Sequence, residues 1–104
     1  MTLLSWWEQF IVQALVAFLN LIAPKYGTNP TISLSWWEEF IVQAGISLLT
    51  LISSKLKNQT EIDAIKATIT FLQDLLSGNL VSGALAAAVQ FLQQLLAGEI
   101  GGTA

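Results

Sequence analysis

Seven carboxylates are the only groups in this 104-residue chain suited to acid–base or metal chemistry. They are Glu8, Glu38, Glu39, Glu61, Asp63, Asp74 and Glu99. The chain contains no His and no Cys, which excludes imidazole catalysis, thiolate nucleophiles, disulfides and the usual zinc sites. Two-metal sites in helical bundles use Glu-x-x-His pairs, and no segment has the ligand spacing of a calcium loop. We therefore expect no enzyme activity, no metal and no other cofactor.

The charge balance argues against a nucleic-acid partner. The chain carries four lysines, no arginine and seven acidic residues, which gives a net charge of -3. Proteins that bind DNA or RNA neutralise phosphates with clusters of basic side chains, and this sequence has no such cluster. We expect no nucleic acid among its partners.

Two internal repeats organise the chain. Residues 4–25 and 34–55 align at an offset of 30 and are identical at 14 of 22 positions. Residues 61–80 and 81–100 align at an offset of 20, are identical at 8 of 20 positions, and share the core FLQxLLxG. The order of the four units is A-A′-B-B′, which either a tandem gene duplication or a constructed fusion would produce.

Start and stop signals for helices flank the units. The first two begin with S-x-x-E, the capping box in which Ser accepts from the third amide and Glu reaches back to the amide of Ser. In the third unit an Asp replaces the Glu. The predicted capping residues are Ser5, Glu8, Ser35, Glu38, Thr60 and Asp63. Pro24 is predicted to end the first helix, and Gly78 and Gly98 to close the third and fourth.

Together with the apolar periodicity, these signals predict four helices, at about 6–23, 36–56, 61–77 and 82–97. The connections between them are short enough to place consecutive helices side by side in opposite directions. We predict an all-α fold, an antiparallel four-helix bundle built from two duplicated helix pairs, in a single helical domain spanning residues 1–104.

The first two helices are more apolar than such a bundle requires. Hydrophobic residues make up 54% of the chain and charged residues 11%, against about 25% charged in an average domain. On a helical wheel, the polar residues of the first helix fill an arc of about 140° and leave about 220° apolar. They are Ser5, Glu8, Gln9, Gln13 and Asn20. Because a bundle helix needs only about three apolar positions in seven, we expect the surplus to contact something besides the core.

Large aromatic residues of the first two helices are the candidates for that contact. They are Trp6, Trp7, Phe10, Phe18, Trp36, Trp37 and Phe40. Three interpretations of the tryptophan pairs remain open at this point. They could plug the end of the core, anchor a subunit interface, or lie at the headgroup level of a membrane.

The sequence favours a non-catalytic structural or assembly protein that self-associates through the apolar faces of its first two helices. A phage or virion accessory protein, or an engineered repeat protein, would have this composition, in the cytoplasm or in a virion. The alternative is a small membrane-active protein resembling a holin, with the first two helices in the bilayer. Residues 6–23 approach the length of a spanning helix, but their polar residues line up on one face, which an amphipathic helix explains without lipid.

Overall fold

The computed structural model describes residues 5–26, 35–78 and 82–98. The regular secondary structure of these residues is entirely helical and confirms the predicted four-helix bundle. The helices are α1 (Trp6–Tyr26), α2 (Trp36–Ser53), α3 (Gln59–Leu76) and α4 (Ser82–Leu96). Most of the connection predicted between the first two helices, residues 27–34, lies outside the described part of the chain.

The helices form a ring in which each packs against two neighbours. α1 contacts α2 and α4, and α3 contacts the same two helices. Lys55, just beyond the end of α2, is close enough to Glu8 in the first turn of α1 to lower the pKa of its carboxyl group. The end of α2 therefore lies beside the start of α1, and the two helices run in opposite directions. Short connections link α2 to α3 and α3 to α4, as the antiparallel arrangement requires.

Every helix contributes fully buried side chains to one core. Each such aliphatic side chain contributes about 1.5–3 kcal/mol through removal of its surface from water. Those with less than 2% of their surface exposed are Val12, Leu15, Leu19, Val42, Leu49, Ile52, Ile65, Leu72, Leu75, Leu92 and Leu95. Residues that align in the repeats lie in matching environments: Val12 and Val42 are both buried, as are Leu72 and Leu92.

Several helix ends differ from the prediction. α1 continues through Pro24 to Tyr26. A proline in the last turn removes one hydrogen bond, to the carbonyl of Asn20, and Asn20 lies on the exposed face where water can replace it. α2 ends at Ser53, before the predicted residue 56, and the hydroxyls of Ser53 and Ser54 each bond a carbonyl of the last turn at 2.7 Å.

The predicted cap of the third helix is also wrong. Asn58 is the capping residue, and its side-chain oxygen accepts from the amide of Thr60 at 2.9 Å. Asp63 instead accepts from the side-chain amide of Gln59, one turn before it, at 2.8 Å. Asn caps at least as well as Thr, so the helix begins at the earlier of two available signals.

The glycine closures are confirmed. Gly78 and Gly98 follow the ends of α3 and α4 with φ of 86° and 78°, the left-handed conformation in which glycine has no steric penalty. The amide of Gly78 donates to the carbonyl of Leu75 at 3.0 Å, and that of Gly98 to Leu95 at 3.2 Å.

One pair of equivalent residues meets where α1 and α2 pack together. Leu15 aligns with Gly45 in the repeat, and a Cβ added at Gly45 would lie 2.7 Å from Cδ2 of Leu15. Two equivalent residues that face each other across antiparallel copies compete for the same space, so only one can be large. This explains a glycine inside α2, which costs roughly 1 kcal/mol of helix propensity relative to Ala.

We expect exchange of these two residues to be tolerated better than either single change. Gly45→Leu alone should destabilise the bundle by about 1–3 kcal/mol through overpacking, and Leu15→Gly alone by at least about 2 kcal/mol through the cavity it leaves. In the combined variant the leucine fills the cavity from the opposite helix. Urea denaturation should show the double variant at least about 1 kcal/mol more stable than the sum of the single effects. Simple additivity would show that Leu15 and Gly45 do not share one space.

Candidate functional site

The large hydrophobic side chains that remain exposed are confined to α1 and α2. Among the described residues, α3 and α4 have none in this class. With their exposed fractions they are Trp6 (81%), Trp7 (47%), Phe10 (69%), Leu21 (59%), Trp36 (81%), Trp37 (45%), Phe40 (67%) and Leu51 (58%). One half of the bundle therefore carries an apolar surface that its own core does not cover.

The spacing of these residues defines a second apolar stripe on each helix. In α1 it runs through positions 7, 10, 14, 17 and 21, and in α2 through 37, 40, 44, 47 and 51, in alternating steps of three and four. The core stripe of α1 contains Val12, Leu15, Leu19 and Ile22 and lies on the other side of the helix. Alternating steps of three and four are typical of a helix face that packs against another helix.

A shallow groove joins the two stripes into one surface. It has a volume of about 260 Å³ and lies between α1 and α2. Its lining is entirely apolar: Phe10, Ile11, Ala14, Phe40, Ile41 and Ala44. Because Phe10 and Phe40 border the same groove, the two stripes face the same side of the molecule. Trp6 and Trp36 adjoin the two stripes, one helical turn before Phe10 and Phe40. We call the surface made by the two stripes, the groove and these two tryptophans the apolar face.

Large side chains occupy the two ends of the apolar face and small ones its middle. Since α1 and α2 are antiparallel, Leu51 lies at the same end as Trp6 and Trp7, and Leu21 at the end of the second tryptophan pair. Between them are the small residues Ala14, Ala17, Ala44 and Ser47. The face is thus raised at both ends and low at its centre, with equivalent residues at the two ends.

The structure decides two of the open questions about the aromatic residues. Trp6 and Trp36 are both 81% exposed, so the interpretation that the tryptophans plug the core is wrong. Phe18 is the opposite case: it is 3% exposed and belongs to the core, so it is wrong as a candidate interface residue. It lies beside Leu19 on the core side of α1. The other six aromatic candidates lie on the apolar face.

The sequence-based prediction named only aromatic residues and missed the aliphatic residues of the face. Leu21, Leu51, Ala14 and Ala44 continue the spacing set by the aromatics. The steps of three and four from Trp7 and Phe10 contain this signal, but alanine is too small to mark a contact surface by its residue type alone.

The two capping boxes hold the starts of α1 and α2. In α1 the backbone amide of Ser5 donates to Oε1 of Glu8 at 2.7 Å and its hydroxyl donates to the same oxygen at 2.8 Å. In α2 the predicted box of Ser35 and Glu38 is present, with the matching bonds at 2.8 and 2.9 Å. These bonds fix the first turn from which each tryptophan pair projects.

The environments of the two boxes differ. Glu8, which belongs to the polar arc of α1, is only 8% exposed. The Ser5 backbone amide lowers the pKa of Glu8, burial raises it, and the Ser5 hydroxyl and Lys55 lower it further, so the net change is downward from 4.5. Glu38 is half-buried and Glu39 exposed. The α2 end of the face therefore carries two carboxylates near water, whereas the α1 end carries one that is buried and satisfied.

The part of the chain that the structure describes contains no group of three or more His, Cys, Asp or Glu residues placed to hold a metal ion. Trp6–Ala23 is the one described helix with the length and composition to cross a membrane, with a mean hydropathy of 1.3 over 18 residues, of which 33% are buried in the bundle. Comparison of the chain with protein-family models, curated proteins and solved structures found no match.

We expect Glu8→Gln to lower stability in a manner that depends on pH. The pKa of Glu8 is lower in the folded protein than its ordinary value of 4.5. Its carboxylate therefore contributes stability that is complete above pH 4.5 and is lost as the pH falls through the folded-state pKa. At pH 7 the variant should be less stable by up to about 1 kcal/mol, the usual range for a charge at a helix start.

The measurement is the free energy of unfolding of both proteins between pH 2 and 7. The difference between them should shrink as the pH falls below 4.5. A difference that stays constant across this range would show that the charge of Glu8 does not stabilise the fold.

Proposed function

We propose that this protein is a non-catalytic structural or assembly protein that self-associates through the apolar face of α1 and α2. The observation that carries the proposal is the confinement of all exposed large hydrophobics of the described chain to this one face. Scattered exposed hydrophobics are ordinary, whereas a contiguous apolar surface marks a contact with protein or lipid.

The size of the face supports a protein contact. At about 150–250 Å² for a whole aromatic side chain, the exposed fractions of the six rings amount to roughly 600–1,000 Å². The largest apolar patch on a typical monomer is about 300–600 Å², and one partner in a standard interface contributes about 800 Å². The face is therefore at or above the size of the largest patch on a typical monomer and comparable to one partner's share of a standard interface.

The shape and composition of the face favour a second copy of this chain as the partner. Its stripes have the alternating spacing of helices that pack on other helices, and its raised ends and low centre are present on every copy. Tryptophan is enriched in the energetically dominant positions of protein interfaces, and four of them lie here. Every copy of the chain carries the same apolar face, so a second copy is a partner that is always present.

The second candidate is a membrane-active protein with α1 in the bilayer. The observation that favours it is the length and hydropathy of Trp6–Ala23. Against it, Gln13 and Asn20 are exposed on the same helix, and Glu8 lies within the span. Burying these groups in hydrocarbon without partners is costly.

Replacing Trp6 and Trp36 together by Ala should reduce self-association and leave the fold intact. Both indoles are 81% exposed in the protomer, so their removal leaves no cavity in the core. Light scattering should show the wild-type chain as a discrete oligomer in detergent-free buffer. The double variant should shift toward the 11.3 kDa protomer, with an unchanged far-UV circular dichroism spectrum.

A matched control is the double change of Thr70 and Gln90 to Ala. These are equivalent exposed residues of α3 and α4, outside the apolar face, and their loss should leave the oligomer unchanged. A wild-type chain that remains an 11.3 kDa monomer at high concentration contradicts the proposal. Complete partition into membranes contradicts it as well and supports the membrane-active candidate.

A further inference from the structure

We propose that the self-association is a closed two-fold dimer in which the Trp6 end of each copy docks into the groove between α1 and α2 of the other. This inference rests on the proposed function and adds the docking site, the docking residues and the symmetry. It follows from the shape of the groove, from the side chains free to enter it and from the difference in charge between the two ends of the face.

The groove provides a receptor for a large apolar side chain. It has a volume of about 260 Å³, and no polar side chain lines it. The small side chains of Ala14 and Ala44 form its low part, and Phe10 and Phe40 stand beside it. A ring that enters covers no polar side chain of the groove, and an indole keeps a hydrogen-bond partner if its N–H points to the open side of the groove, where water reaches it.

Two equivalent side chains are available to fill this site in a neighbouring copy. Phe10 and Phe40 already line their own groove. Trp6 and Trp36 do not, and both are 81% exposed, more than any other large hydrophobic residue of the described chain. The other exposed large hydrophobics outside the groove lining are 45–59% exposed, so Trp6 and Trp36 present the most free apolar surface. We therefore take one of these two indoles as the occupant, with the tryptophan next to it making the adjoining contact.

Charge selects Trp6 over Trp36. Beside Trp36 lie the half-buried Glu38 and the exposed Glu39, both of which would lose water on approaching an apolar surface. Beside Trp6, Glu8 is already buried, with only 8% of its surface exposed, and its carboxylate accepts two hydrogen bonds from Ser5. Desolvating a carboxylate without a new partner is costly, so the Trp6 end docks more readily.

The position of Trp6 is compatible with a reciprocal contact. Trp6 precedes Ala14 by eight residues, which at 1.5 Å per residue places it about 12 Å along α1 from the low part of the groove. The required two-fold axis lies in the plane of the face, perpendicular to the helices and midway between Trp6 and Ala14. Rotation by a half-turn about this axis brings the Trp6 of each copy over the groove of the other. Such an isologous contact uses the same patch on both copies and closes at two. The Trp36 end lies at the rim, where its carboxylates keep their water.

The test compares Trp6→Ala, Trp36→Ala and Ala14→Trp by sedimentation equilibrium. Trp6→Ala should raise the dissociation constant at least about tenfold, as for an interface anchor, and Trp36→Ala should raise it clearly less. Ala14→Trp should fill the groove and weaken the dimer to a degree similar to Trp6→Ala. Ala86→Trp, at an exposed position of α4 outside the face, is the control for adding an indole and should leave the dimer intact.

Each outcome has a defined meaning. Equal weakening by Trp6→Ala and Trp36→Ala, an unaffected Ala14→Trp, or a wild-type assembly larger than a dimer overturns this inference and leaves the proposed self-association standing. A monomeric wild-type chain overturns both. Circular dichroism identifies a variant that has failed to fold, and in that case Ala44→Trp, at the equivalent position of the groove, replaces Ala14→Trp.

Discussion

A helix in a four-helix bundle can bury only the side that faces the other helices, and this limit governs the whole molecule. In α1, the stripe through Val12, Leu15 and Leu19 is buried in the core. A second stripe, which includes Phe10 and Leu21, is left exposed by the described part of the chain. Packing can turn one of two apolar stripes inward, but it cannot bury both. The surplus of hydrophobic residues therefore becomes a surface feature, and the interface we propose is its consequence.

The repeat gives that surface its form. Because α1 and α2 are antiparallel copies that are identical at 14 of 22 aligned positions, the apolar face has equivalent aromatic clusters at its two ends. Two of the departures from equivalence shape this surface, each for a physical reason. Leu15 and Gly45 meet where only one side chain fits. Glu8 is buried near Lys55, whereas the start of α2 carries Glu38 and Glu39 closer to water. The first difference allows the helices to approach, and the second distinguishes the ends.

The all-α class and the four-helix arrangement could be predicted because capping boxes, glycine closures and repeated periodicity are local signals. The orientation of α1 could not, because a helix with about 220° of apolar surface offers more than one side to a core. For this reason the sequence predicts Phe18 at an interface, whereas the structure places it in the core. The cap of α3 was misplaced since Asn58 and Thr60 are both good N-caps and only the structure chooses between them. The position of the apolar face depends on which stripe turns inward, and the packing of the four helices against one another determines this.

The central claim is that the apolar face with its tryptophans is exposed in the protomer and that a second copy covers it, most completely at the Trp6 end. Quenching of their fluorescence by acrylamide, measured across a range of protein concentrations, tests it most directly. The account predicts efficient quenching in dilute solution, since the four indoles are 45–81% exposed, and a marked fall as the concentration rises. Efficient quenching at every concentration would contradict the proposed contact. Poor quenching even in the dilute monomer would contradict the exposed apolar face.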